Sequence, residues 1–340
     1  MAKNHYTDRA ASSAGETLQR FSTCVAKQAS ECSVWAQKNG ISCYRVYDAQ
    51  VIPYAVSIDV YKGAAAFAGQ AYLVISQYRS SNDVDESTEA AVLDDAISVA
   101  SYELGVSRDH IFTKARHHDR SGSQYKDGQR EPFIVYTQES GYFFEVDLEG
   151  YLDTGIFLDH RPMREMIGQT AGGLRFLNLF AYTGTATVHA AGAKALSTTT
   201  VDLSQTYLNW AQRNMQTNGF EGEAHRFIRS DAIQWLDRDI RKGTTYDLVF
   251  VDPPTFSHSK LKGKKTWSVA RDHVELLKKV TAVLSPNGKA FFSCNLRNFK
   301  PNIRALEQEG IKLTDITAQS IPKDFAQNPT IHHCYLVNAE

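Results

Sequence analysis

The sequence predicts an α/β protein in which a smaller α+β domain, residues 1–150, precedes a doubly wound parallel sheet over residues 151–340. Three observations point there. After Tyr151, buried-looking strands alternate with helix patterns. Before it, short strands rich in β-branched and aromatic residues lie among amphipathic helices. Successive strands of the second half also lead into polar residues, at Asn178, Asp202, Asp231 and Asp252. Strand ends along one edge of an open sheet share one crevice.

In the first half, Leu18, Phe21, Val25, Ala29, Cys32 and Trp35 recur at helical spacing and predict a helix over Gly15–Lys38, stopped by Gly40. "CYRVYDA" and "YAVSIDVYKG", with Pro53 between them, read as paired strands, and "AYLVISQY" as a third. Glu86–Leu104 is amphipathic and is closed by Gly105. "IFTKAR" is a further strand, and "FIVYTQ" and "YFFEVDL" flank a turn at Ser140-Gly141.

In the second half, "LRFLNLF" is a strand, "AYTG" a turn and "TATVHAAGAKA" a helix. The strand "STTTVD" follows, then the helix "QTYLNWAQRNMQTNGF" with its glycine stop. "HRFIRSD" leads a strand into a helix, and "YDLVFV" is another strand. "DHVELLKKVTAVL" is a helix, a Pro-Asn-Gly turn follows, and "KAFFSCN" is a strand.

Composition narrows the function classes. A net charge of −1 gives no global basic field, so any nucleic-acid contact must be local. The five cysteines, Cys24, Cys32, Cys43, Cys294 and Cys334, are odd in number and form no CxxC pair. That argues against a disulfide framework or zinc ribbon and for a reducing compartment. The N-terminus lacks an apolar signal core, and no run reaches the roughly 18 apolar residues of a membrane span. A cytoplasmic protein with no membrane partner is expected.

The segment "VFVDPPTFSHSK" carries the first chemical signal. Two prolines remove two N–H donors and force extended geometry, so Asp252-Pro253-Pro254 cannot continue a central strand. A stiff segment with a carboxylate, spare carbonyls and Phe256 suits the edge and face of a flat polar ring. The turn "YTGTATVHA" holds one glycine where a dinucleotide fingerprint needs three. Asp202 lies about 20 residues beyond it, where a carboxylate can take ribose hydroxyls. The pattern fits an adenosine ligand without phosphates, such as S-adenosylmethionine, with Asp231 on the adenine amino group. The alternative for each aspartate is a helix N-cap.

The stretches "LNLFAYTGTATVHAAGAKALSTTTVDLSQTYLNWAQRN", "VDPPTFSHSK" and "YLDTGIFLDHR" resemble the Rossmann-like class I methyltransferases of bacterial ribosomal RNA. Among these the chain is similar to the 23S rRNA guanine-N7 family, the C-terminal half of the fused K/L enzymes. "DFAQNPTIHHCYLV" and "GISCYRVYDA" share the resemblance, which spans nearly the whole chain. It implies S-adenosyl-L-methionine as cofactor and 23S rRNA or a pre-50S particle as partner. It also implies an accessory, RNA-binding role for the first domain and a separate guanine-N2 methyltransferase. Asp159, His160 and Arg161 would belong to a loop closing on the cofactor, though Asp159 also reads as a helix cap. Phe180, Tyr182, Thr183 and Gly184 would line the methionine end, Asp202 and Leu203 the ribose, and Asp231 and Ala232 the adenine. Asp252 would border both cofactor and target base, with Pro253, Pro254 and Phe256 on the base.

Guanine N7 carries an in-plane lone pair and no proton, so its methylation needs alignment and water exclusion rather than a general base. Reaching it in a stem requires flipping the nucleotide out. Lys260, Lys262, Lys264, Lys265 and Arg271 follow the base segment and are candidate phosphate contacts. Arg108–Arg120 is a second basic stretch, and its His117-His118 lacks partners at metal-ligand spacing. His332-His333 reads as structural. Cys294, in "FFSCNLRNF", opens an alternative: cytosine-C5 methyltransferases add a cysteine thiolate to C6, and the guanine-N7 family has an asparagine there. The contrary reading is a small apolar residue at a buried strand end. The rival from another class is a binding module that keeps the fold without catalysis. Cofactor titration separates it from an enzyme.

Overall fold

The computed structural model describes residues 4–51, 54–78, 86–116, 130–257 and 266–339. They form two compact units: Met1–Gly141 with Val146–Thr154, and Tyr142–Glu145 with Gly155–Glu340. The division therefore falls inside a strand rather than at a single linker.

The first unit begins with helix α1 (Asn4–Lys38). Strands β1 (Cys43–Tyr47), β2 (Val56–Lys62) and β3 (Ala71–Tyr78) follow, then α2 (Glu86–Leu104) and β4 (Ile111–Arg116). The sheet order is β1-β2-β3-β4, antiparallel except for β3 and β4, which the α2 crossover makes parallel. Phe21, Val25, Ala29 and Cys32 of α1 are buried in one cluster with Ile58, Leu73, Ile75 and Ala100, as the helical spacing requires. Strands β5 (Ile134–Glu139) and β6 (Tyr142–Asp147) flank Ser140 and Gly141. Both turn residues have positive φ, the backbone that two-residue hairpin turns use.

In the second unit a 3₁₀ turn (Leu158–His160) leads into α3 (Arg161–Thr170). Then come β7 (Arg175–Leu179), α4 (Thr185–Gly192), β8 (Ser197–Asp202), α5 (Gln205–Thr217), β9 (His225–Arg229), α6 (Ala232–Lys242) and β10 (Tyr246–Val251). A small pair, β11 (Phe256–Ser257) and β12 (Trp267–Ser268), precedes α7 (Val269–Ala282) and β13 (Leu284–Cys294). The chain ends with α8 (Ile303–Gln308), β14 (Ile311–Asp315), α9 (Thr317–Ser320) and β15 (His333–Ala339).

The large sheet runs β14-β15-β13-β10-β7-β8-β9. Leu248 and Phe250 of β10 are buried with Met163, Ile167, Ala186 and Ala190. Val249 and Val251 are buried with Trp235, Leu276 and Leu277. Alternate residues thus serve opposite faces, and helices cover both. The expectation of a wholly parallel sheet needs one correction: β15 is antiparallel to both β13 and β14. The connection 316–332 carries only α9 and a 3₁₀ turn (Lys323–Phe325), and an antiparallel neighbour needs no long crossover helix. The Pro-Asn-Gly segment is a bulge inside β13: Asn287 takes φ 65°, and the pairing slips from Tyr246↔Leu284 to Leu248↔Lys289. Among the described residues no helix is long and apolar enough to cross a membrane.

Candidate active site

The strand order reverses between β7 and β10, which are parallel neighbours. Ligands of open α/β sheets sit at the carboxyl ends of such a pair. Here those ends are Phe180–Gly184 and Asp252–Phe256. Phe180 and Tyr182 have φ of 56° and 51°, a conformation that costs a non-glycine residue on the order of 1–3 kcal/mol. The surroundings hold it. Tyr182 N–H donates to Asp202 Oδ2 at 2.9 Å, and the Tyr182 ring lies 4.6 Å from Tyr207 and 5.0 Å from Phe157. Gly184 caps α4 at φ 70°, where a Cβ would stand 2.6 Å from Ala211 Cβ. Thr183 is buried, and its hydroxyl donates to the Gly155 carbonyl, so it holds the loop.

Asp202, at the end of β8, accepts from Ser204 N–H at 2.8 Å as well as from Tyr182. Burial raises its carboxyl pKa, against the lowering by these N–H donors. Each oxygen keeps a lone pair for a hydroxyl donor. Leu203 beside it is 66% exposed, and Ala232 is buried. Asp231 caps α6 through Oδ1, 3.0 Å from Gln234 N. One carboxylate oxygen thus serves as the cap, and the other keeps acceptor capacity for an amino group. Two acceptor carboxylates around an exposed leucine match an adenosine: ribose hydroxyls, an amino donor and an apolar ring face. Asp202→Ala is expected to weaken S-adenosylmethionine binding by about 1–3 kcal/mol, read by titration calorimetry. Unchanged affinity would take Asp202 out of the site.

The "FLDHR" loop differs from the helix-cap alternative. The cap of α3 is His160, with no side-chain hydrogen bond, and Pro162 follows in the first turn. The Asp159 carboxylate instead meets His332 Nδ1 at 2.8 Å. His160 Nε2 lies 2.8 Å from Ser293 Oγ, and its Nδ1 is 3.7 Å from Asp252 Oδ2. Burial holds His160 below the usual histidine range, against the pull of Asp252 and Asp159. Arg161 is committed to Asp324, donating at 3.0 and 3.4 Å with both side chains buried. It therefore fastens the loop to the segment after α9.

Strand β10 stops at Val251, as the two prolines require. Asp252 is partly buried, Pro253 buried, and Pro254 exposed. Phe256 is 45% exposed in β11, which pairs with β12. Trp267 Nε1–H donates to the Pro254 carbonyl at 2.8 Å, and its ring lies 6.3 Å from Phe180. One carbonyl expected to face a base is thus already engaged, and an indole bridges the Pro254 segment and the Phe180 turn. Arg271 is exposed but pairs with Asp272 and donates to the Thr266 carbonyl. Lys260, Lys262, Lys264 and Lys265 lie outside the described residues, as do His117 and His118. Cys294 is fully buried.

Sequence reasoning missed Ser293, Asp324 and the pairing of His332. His332 and Asp324 stand far along the chain from Asp252, and no spacing rule joins them. His160, His332 and Cys334 bring possible metal-binding atoms within 4.8 Å of one another. Yet both nitrogens of His332 are engaged, by Asp159 and by Ser320 Oγ at 2.9 Å, and His160 Nε2 by Ser293. Hydrogen bonds thus already occupy both nitrogens of His332 and one of His160.

Residues 65–314 match the model of a family described as S-adenosylmethionine-dependent methyltransferase. The chain belongs to this family. Among curated relatives of this methyltransferase, "Ribosomal RNA large subunit methyltransferase K/L" of Aliivibrio fischeri (strain MJ11) is 41% identical over 95% of the chain and 44% of its own length. The K/L protein of Methylococcus capsulatus is 42% identical over 95% of the chain and 43% of its own. The chain thus spans less than half the length of these relatives. Among solved structures, SMU.776, a putative methyltransferase complexed with SAH, aligns with TM-score 0.75 at 22% identity, over 94% of this chain and 81% of that one. A SAM-dependent methyltransferase from Agrobacterium tumefaciens aligns with TM-score 0.56 at 17% identity, over 88% and 90%. These two likenesses concern the fold.

Proposed function

We propose that this methyltransferase acts on ribosomal RNA of the large subunit and that its target atom is a guanine N7. The RNA class is supported by the names of the K/L relatives and by their 41% identity across 95% of the chain. Acting on ribosomal RNA, the enzyme would work in the cytoplasm.

The observation that carries the choice of atom is the state of Cys294. Cytosine-C5 chemistry needs an accessible thiolate to add to C6. Cys294 has no exposed surface, and burial pushes its thiol up to about 11, with Asp252 adding to the rise. That is the opposite of a nucleophile's environment. Guanine N7 needs none of this, because its lone pair already lies in the ring plane.

The cofactor supplies an electrophilic methyl group on a sulfonium. Asp202 and Asp231 would hold its adenosine, with Phe180–Gly184 beside its methionine end. Asp252 would accept from guanine N–H donors and offset positive charge developing on the purine. Phe256 would stack on the extruded base, at about 1–3 kcal/mol. Arg271 would lie near phosphate.

The test is mass spectrometry of nucleosides from large-subunit RNA incubated with the enzyme and labelled cofactor. N7-methylguanosine is expected, and borohydride followed by aniline should cut the RNA at the methylated site. 5-Methylcytidine would overturn the reading. Cys294→Ser is expected to keep most of the turnover and to cost about 1 kcal/mol of stability. A folded, inactive Cys294→Ser, with a covalent adduct of the native enzyme to 5-fluorocytosine RNA, would instead establish the cytosine chemistry.

A further inference from the structure

We propose that His332 is a positioning residue for methyl transfer: paired with Asp159 and stacked on His160, it holds the His160 ring against Asp252. This rests on reading Asp252 as the carboxylate that meets the target base. The geometry is a chain of four side chains from three places in the unit. His332, at the entry to β15, has no exposed surface. Its Nδ1 meets Asp159 Oδ2 at 2.8 Å and its Nε2 meets Ser320 Oγ at 2.9 Å, so the ring cannot turn. Its face lies 4.7 Å from the His160 ring at 28°. His160 is anchored by Ser293 at 2.8 Å, and its other nitrogen is 3.7 Å from Asp252.

The charges on the two rings are coupled. Although burial pulls His332 down, its hydrogen bonds to Asp159 and Cys334 push it up to about 10, so it is an imidazolium at neutral pH. A second imidazolium stacked on it is disfavoured. The groups facing His160 are Asp252 from the end of β10, Asp159 from its own loop, Arg164 from α3, and His332 and Cys334 from the β15 side. The two carboxylates raise it, while burial, His332 and Arg164 lower it, and the net shift is downward. A neutral His160 sits beside Asp252 at 3.7 Å without cancelling its charge, which leaves the carboxylate available to substrate N–H groups. Burial still holds His160 down, but loss of the His332 cation raises its pKa and favours an ion pair with Asp252 that competes with the substrate.

The test is histidine-labelled NMR of the full chain, with the His160 and His332 signals assigned from His160→Gln and His332→Gln. In the native protein, His332 is expected to stay protonated through neutral pH and His160 to titrate below the usual histidine range. In His332→Gln the His160 midpoint should rise, because one of the charges that lower it is gone. The acid limb of kcat should move up with it, and KM for the cofactor should change by less than about twofold. A purely structural role would lower kcat or the melting temperature and leave the limb where it was. The inference is overturned by a neutral His332 at pH 7 in the native protein, or by an unmoved His160 in the variant. If His332→Gln does not fold, the native titration decides alone. If the native enzyme methylates no ribosomal RNA, the substrate reading fails, while the histidine titrations still decide this one.

Discussion

Arg161→Met is expected to destabilise the second unit by about 3–5 kcal/mol. Arg161 and Asp324 are both buried, 2% and 0% exposed, and the guanidinium donates twice to the carboxylate. Such a pair adds little net stability, because desolvating two charges offsets their attraction. Removing one partner is different: the other charge stays buried without its counterion. Arg161→Met combined with Asp324→Leu should therefore recover most of the loss. Denaturant unfolding of the single and double variants measures this. A single variant within about 1 kcal/mol of the native protein would mean that Asp324 finds water or another donor once the guanidinium is gone. Cofactor affinity should also fall in Arg161→Met, because this pair fastens the loop carrying Asp159 and His160.

Asp252→Asn is expected to slow methyl transfer by on the order of 10²–10³, the usual cost of losing one group aimed at developing charge. The amide preserves shape, and the prolines keep the backbone extended, so the loss would report charge and acceptor strength rather than collapse of the segment. Asparagine also turns one acceptor into a donor, which faces guanine N–H groups unfavourably. Single-turnover transfer at saturating cofactor isolates the step, and calorimetry checks that cofactor binding falls far less. A variant within tenfold of the native rate would place the reaction's electrostatics elsewhere.

Local rules were enough wherever the cause is local. The apolar spacing of Leu18 to Cys32 names its own helix face, and Phe21 and Val25 are indeed fully buried. Glu86–Leu104 is a helix over that whole span, with positive φ at Gly105. Two prolines end β10 at Val251 in any context, because missing N–H groups cannot complete a ladder. The strand-end acids Asp202 and Asp252 were legible for the same reason: strand–helix alternation puts parallel strand ends on one edge.

What only the tertiary structure decided depends on which distant groups meet. Nothing local distinguishes Arg161 as a ligand contact from Arg161 as a buried strut. That depends on Asp324, brought beside it by the return of the chain from α9 to β15. His332 looked like filler because its significance lies in Asp159 and His160, both on the loop before α3. Cys294 sits in a sequence context that suits a nucleophile. Its burial in an apolar cluster with Val251, Val269, Phe299 and Tyr335, drawn from separate elements, is what removes its thiol from solvent and raises its pKa. Sequence patterns report a residue's own propensity and its near neighbours. Desolvation and charge pairing are set by whatever the fold packs against it.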